Sequence, residues 1–373
     1  MRIPGRDPAE AQTLKGQRYN HERIARQDSA TGVRVLQLTS FPTMSMTIGY
    51  TQNIFSEDSS KLIFLSQRTP QRDSPWDLFM VGSDGSGLVQ LTGVDDLRSP
   101  QLSPDGKTAY YVRGPSLWAV DTQSFQEREV ATLEGGSAVY GSHLSPDGRY
   151  FFIPMSRASK STDWQQMLKE NLLVRFDIRK GVAEPITDNW VATASDPEGK
   201  GLMCINFTGK QKVYGFVHYD GVLEGVFTST HDFAHSTLLG PAVRVQGCAL
   251  YPERAILTVG LGEEVPKPLV KGPYFWHSSS SRDGKWIVSD TNWPNEGLKL
   301  VSVERGSFKT LLYPGNSAGH PQWTHPHPSL SPDGRKVLYN SDATGICQVY
   351  VAAIPEDFLL PESYGSAPRR KRR

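Results

Sequence analysis

The chain has 373 residues, with 40 Lys+Arg against 39 Asp+Glu and a net charge of +1, a balance that lacks the clustered basic face nucleic-acid binding requires. Its three cysteines (Cys204, Cys248 and Cys347) are far apart, with no CxxC spacing, so no disulfide framework is expected. There is no apolar run of about eighteen residues and no apolar stretch near the N-terminus, so no membrane-spanning helix or secretory signal is expected, and the expected location is the cytoplasm.

Residues 1–30 read as a polar N-terminal extension. The first strand signal is Val33-Arg34-Val35-Leu36-Gln37-Leu38, which ends in Thr39 and is echoed by Leu88-Val89-Gln90-Leu91-Thr92. Between and after these runs one phrase recurs, Ser-Pro-Asp-Gly followed by a strand. It stands as LSPDGKTAYYV from Leu102, LSPDGRYFFIP from Leu144 and LSPDGRKVLYN from Leu330, with degenerate copies FSEDSSKLIFLS from Phe55 and SSRDGKWIVSD from Ser280. Pro presets φ and Asp-Gly makes a tight turn, so each copy predicts a hairpin between two short strands. Two weaker copies, near Ser195 (SDPEGKGLMCIN) and Ser236 (STLLGPAVRVQ), fill the long gap. Only Ser161–Leu173 (STDWQQMLKENLL) reads as a helix, inserted into the pattern. Repeats of roughly 40–50 residues, each carrying several short strands, predict an all-β, seven-bladed β-propeller with four-stranded blades. It occupies residues 31–358, and the strand at Val33–Leu38 closes the last blade, which removes an open sheet edge. Residues 359–373 end in Arg-Arg-Lys-Arg-Arg and read as a basic, disordered tail.

Chemistry must come from residues that break the repeat. Gln322-Trp323-Thr324-His325-Pro326-His327 precedes the last turn motif, and Tyr274-Phe275-Trp276-His277 stands at the matching place one blade earlier. On an extended strand the two imidazoles of His-Pro-His share one face, with backbones about 7 Å apart. His277, Gln322, His325 and His327 then offer an N/O donor set suited to a divalent ion of borderline hardness, Mn²⁺ foremost.

The segment from Gln322 to Pro355, QWTHPHPSLSPDGRKVLYNSDATGICQVYVAAIP, resembles the C-terminal blade of the oligogalacturonate lyases, seven-bladed propellers that cleave short pectin-derived uronides by β-elimination. The likeness extends more thinly over TGVRVLQLTSF, the helical insertion and the Thr230-His231-Asp232-Phe233 segment. It implies that His277, Gln322, His325 and His327 are metal ligands, that His231 is the catalytic base with His235 as its competitor, and that an acidic oligosaccharide is the substrate. Where the family carries a His-Arg pair this chain reads Met46-Thr47, and where an Arg is expected near the middle blades only a Lys, Lys212, is at hand. Gln52, Arg68 and His235 are candidate substrate contacts. Arg98 and Arg113 are further cations suited to carboxylates, which Arg pairs bidentately. The competing expectation is a non-catalytic propeller of the TolB type that binds protein or carbohydrate. Such a scaffold has no use for three converging imidazoles.

Overall fold

The computed structural model describes residues 14–19, 22–51, 54–68, 74–93, 97–139, 141–156, 164–228, 233–241, 243–319 and 321–364. Within them the strands fall into seven antiparallel sheets that follow one another along the chain. The first blade runs Ser45–Met46, Lys61–Ser66, Asp77–Gly82 and Val89–Gln90, and the second Arg98–Leu102, Thr108–Arg113, Ser116–Asp121 and Glu127–Thr132. In the third blade, two short inner pieces (Ser137–Ala138 and His143–Leu144) both pair with Tyr150–Ser156. The fourth, fifth and sixth blades begin with Trp190–Ser195, Phe233–Leu238 and Phe275–Ser280. This is the expected propeller.

The turn phrase folds as its chemistry requires. In the second blade Ser103 Oγ donates to Asp105 Oδ1 at 2.7 Å, and the same carboxylate accepts from the Lys107 amide at 3.0 Å. Gly106, at φ +67°, closes the turn onto the Ser103 carbonyl. The Ser145 and Ser331 copies repeat the Ser–Asp bond. In the fourth blade the corresponding residue is Asp196, one place beyond Ser195: its carbonyl accepts from Gly199 N and its carboxylate from Lys200 N. In the fifth, Leu239 takes the position, three places beyond Ser236, and bonds Arg244 O without any side-chain help.

The seventh blade is shared between the two ends of the propeller. Ser329–Leu330, Lys336–Ser341 and Gln348–Ala353 are followed outward by Arg34–Gln37, with Val35 opposite Ala352, and then by Ile24–Gln27 as a fifth strand. Val33 and Val35 join Val337, Tyr350 and Ala352 in one buried cluster. Leu38 N donates to Val349 O, and Val349 N to Thr39 Oγ1. Apolar residues on both faces of the middle strands fill the spaces between blades, and Phe151, Phe152 and Ile153 are each fully buried. The helical insertion, described over Trp164–Lys169, ends earlier than expected, because Leu172 and Leu173 are claimed by the strand Leu172–Asp177 against Tyr150–Ser156; residues 161–163 lie outside the described residues. The chain ends, among described residues, with Tyr364 packed on Trp286.

Neighbouring blades are also joined by polar bonds. The buried His143 ring places Nε2 3.3 Å from Ala192 O in the fourth blade, and burial pushes its pKa down to about 4. A folded-state value below the ordinary ~6.5 means the unfolded chain takes up the proton more readily. The stability this neutral ring contributes is therefore full above about pH 6.5 and is lost as pH falls toward 4. His143→Gln keeps a donor without the titration. It should flatten part of the acid limb of urea-unfolding midpoints measured from pH 7 to 4.5, and an unchanged limb would refute the assignment. Val35→Pro removes a ladder donor from a strand paired on both sides, and should cost ~3 kcal/mol or more in the same assay at pH 7.

Candidate active site

Irregularities in the blades assemble the site. The innermost strand of the fifth blade slips register between Ala234 and Thr237, and His235 there has φ +54°. That of the sixth slips between Phe275 and Ser278, around His277. Such bulges re-aim side chains out of the regular alternation. His325 and His327 do not lie on a strand as expected. Gln322–Thr324 forms a short 3₁₀ turn, His325 is extended, and His327 takes φ +44°, a left-handed backbone that is strained for any residue bearing a Cβ. The turn interrupts the strand and brings the His327 ring into the pocket lining, with the His325 ring buried beside it.

One carboxylate holds this arrangement. Asp290, 2% exposed on the second strand of the sixth blade, accepts from His277 N at 2.6 Å, His277 Nδ1 at 2.9 Å and His327 N at 3.3 Å. Around it the His277 ring centroid lies 4.0 Å from that of His327, 4.3 Å from His235 and 5.6 Å from His325. His325 and His327 are 5.9 Å apart and tilted by 23°. Tyr50 stacks parallel to His327 at 5.9 Å and closes on His277 at 5.3 Å. Burial holds His277 and His327 well below the usual imidazole range, with the other rings adding to the effect. Burial likewise pushes His235 down to about 4, and nearby Lys212 contributes. These rings are neutral near pH 7, with lone pairs available. Burial raises the Asp290 carboxyl above its ordinary range, opposed by the His327 ring and the His277 amide.

Tyr50, His235, His277 and His327 open onto a pocket of about 750 Å³, which His143, Lys212, Gln322 and Trp323 also line, while His325 lies behind His277 and outside that lining. Its floor at Tyr50 and Thr51 is shared with a smaller recess on the turn-motif side. Of the residues singled out from sequence, His235, His277, Gln322, His325, His327 and Lys212 are brought to this region. Arg68 is not: its guanidinium pairs with Glu22 at 2.6 Å and lies against Tyr19, Phe41 and Phe79 in the wall of the first blade. That corrects its assignment as a substrate contact, because the side chain is buried in a stacked ion pair and does not line the pocket. Neither Arg98 nor Arg113 lines the pocket. Gln52 and His231 lie outside the described residues. Sequence reasoning missed Asp290 and Tyr50. Asp290 carries a signal only in retrospect, as an acid inside the strand Trp286–Thr291, whose residues are all buried.

The donors are of a metal-binding kind. With Nδ1 of His277 bonded to Asp290, Nε2 is left facing the other rings, as when a carboxylate fixes the tautomer of a ligating imidazole. Nδ1 of His235 is buried without a partner. Among the described residues, however, no group of three or more His, Cys, Asp or Glu meets metal-ligand geometry, and His325 turns Nε2 to Gly319 O at 3.2 Å. The rings are gathered but not closed around one point.

No family model matches the chain. An oligogalacturonate lyase of Dickeya dadantii is 25% identical over 394 aligned residues, covering 92% of this chain and 98% of its own. An oligogalacturonide lyase of Pectobacterium atrosepticum is 24% identical, covering 88% and 95%. Among solved structures, an oligogalacturonate lyase in complex with manganese superposes with a TM-score of 0.79 at 20% identity, over 93% of this chain and all of its own. The oligogalacturonate lyase of Vibrio parahaemolyticus gives 0.76 at 20% identity, over 92% of this chain. Those two structures share the propeller, and the two sequence relatives match it almost from end to end. With that coverage, and with imidazoles gathered in its last three blades, the chain is similar over almost its whole length to the oligogalacturonate lyases, from which it diverges in three quarters of its residues.

Proposed function

We propose that this chain is a lyase that cleaves short pectin-derived uronides by β-elimination, aided by a divalent cation, Mn²⁺ by the character of the donors. The observation that carries the reading is the convergence of His235, His277 and His327 on one pocket, with His325 packed against His277 and His277 oriented by Asp290. His277, His325 and His327 would hold the cation, with the Gln322 amide oxygen at the rim. When bound, it would neutralise the uronate carboxylate and ease the charge that develops as C5 loses its proton.

The C5 proton of a 4-linked uronate is acidic because it lies α to the carboxylate. His235, neutral and with an unpartnered Nδ1, takes that proton. The electron pair left on C5 forms the C4–C5 double bond as the C4–O bond breaks, and the departing sugar oxygen takes up a proton. No water is consumed, and the product is a 4,5-unsaturated uronide. Lys212, close enough to His235 to disfavour its protonation, meets substrate charge at the same end of the pocket. Asp290 keeps His277 in the tautomer that presents Nε2.

The protein incubated with Mn²⁺ and di- or trigalacturonate should generate the absorbance of the unsaturated product. His235→Ala should lower kcat by about 10²–10⁴-fold while leaving Mn²⁺ binding intact. His231→Ala, assayed beside it, decides which histidine is the base. Asp290→Asn should weaken Mn²⁺ binding by about 10–100-fold, read by calorimetry on protein with a native circular-dichroism spectrum. A protein that neither binds Mn²⁺ nor turns over any uronide in a broad panel would end this reading.

A further inference from the structure

The loop after Thr291 carries an exposed indole that is linked, ring by ring, to the pocket. Thr291 pairs with Phe275, and Asn292 N donates to Tyr274 O at 2.9 Å, so the loop starts beside the strand end that bears His277. Trp293 stands on this loop, 64% exposed and at φ +44°. Its ring lies 5.4 Å from that of Trp276 and 6.4 Å from that of Tyr274, and those two are 5.6 Å apart. Trp276 in turn meets the ring of His235 edge-on at 4.7 Å, and His235 lines the pocket.

A single exposed tryptophan is ordinary on a protein surface, but the surroundings of this one are not. Trp276 Nε1 is buried without a hydrogen-bond partner among the described residues, and so are Oδ1 and Nδ2 of Asn292, which is only 1% exposed. Unmet polar atoms are rare inside folded proteins and cost stability. A left-handed backbone at a bulky aromatic residue is a further cost. Packing alone accounts for neither. A sugar suits the group: one face of a pyranose presents C–H groups that lie flat against an indole, and each of its hydroxyls both donates and accepts.

We infer that Trp293, backed by Trp276 and Tyr274, is a stacking platform for a sugar of the uronide other than the one that loses its C5 proton. This rests on the lyase reading and adds a binding subsite to it. Trp276 is the contact that Trp293 and His235 share, so the stacked sugar is set apart from the ring that reacts at His235. No bond forms or breaks at the platform. It contributes binding, and the elimination itself is unchanged.

The test follows trigalacturonate turnover by the whole protein with Mn²⁺. Trp293→Ala should raise KM by about three- to tenfold, with the loss carried by KM rather than kcat. Trp293→Tyr, which keeps a flat aromatic face, should recover most of it. Trp293→Leu, which keeps apolar bulk without that face, should behave like Trp293→Ala. An unchanged KM in Trp293→Ala, or a Leu variant that recovers as well as the Tyr variant, overturns this inference and leaves the lyase reading standing. Tryptophan fluorescence titrated with trigalacturonate reads the contact without turnover: a response in the wild-type protein that is lost in Trp293→Ala supports the platform, and no response in the wild type overturns it. Absence of turnover on every uronide ends the lyase reading instead, and the fluorescence titration still decides whether Trp293 takes a sugar.

Discussion

A single buried carboxylate organises the centre of this protein. Asp290 receives three N–H groups, two from His277 and one from the amide of His327. A charge so deeply buried is tolerated only when its lone pairs are met. In meeting them, the chain fixes the tautomer of one imidazole and holds the left-handed backbone that aims another. The sixth and seventh blades are thus tied together at the site itself. The mutual packing of His277 with His235 and of Tyr50 with His327 then brings in the fifth and first blades. What is asked of the rest of the propeller is to keep these strand ends at fixed spacing.

A sheet of regular alternation could not do this alone. In each of the three contributing blades the pattern breaks where a histidine is needed: at the slips around His235 and His277, and at the 3₁₀ turn ahead of His325. Strain at His235 and His327, both at positive φ, is sustained by surroundings that are packed and hydrogen-bonded. The third blade shows the contrasting use of a histidine. His143 lines the same pocket, yet its ring is bonded to Ala192 O and serves to join two blades.

The propeller was legible because its hairpins are local chemistry. Ser103, Asp105 and Gly106 make the same bonds in isolation of context as their counterparts at Ser145 and Ser331. Legibility faded where the turn was kept by other means: Asp196 substitutes a carboxylate for the serine, and Leu239 relies on backbone alone, so both weaker copies were placed but misaligned by a few residues. The helix ending at Lys169 was carried too far at its C-terminal end because the apolar pair Leu172-Leu173 serves a strand as well as a helix. At the site, His277, His325 and His327 stood out through their spacing from the turn motif. Asp290 did not, since an acid in the middle of a buried strand is defined by partners distant in sequence. Arg68 misled for the same reason, its partner Glu22 lying outside the repeat altogether.

The seventh blade has one further property. It contains the strand Arg34–Gln37 from the beginning of the wheel and Gln348–Ala353 from its end, and the segment carrying His325 and His327 leads straight into it. Ring closure and assembly of the imidazole cluster are therefore one event. A nascent chain released before its last blade has emerged holds every other wall of the pocket and still has no centre, so chemical competence arrives only with the completed molecule.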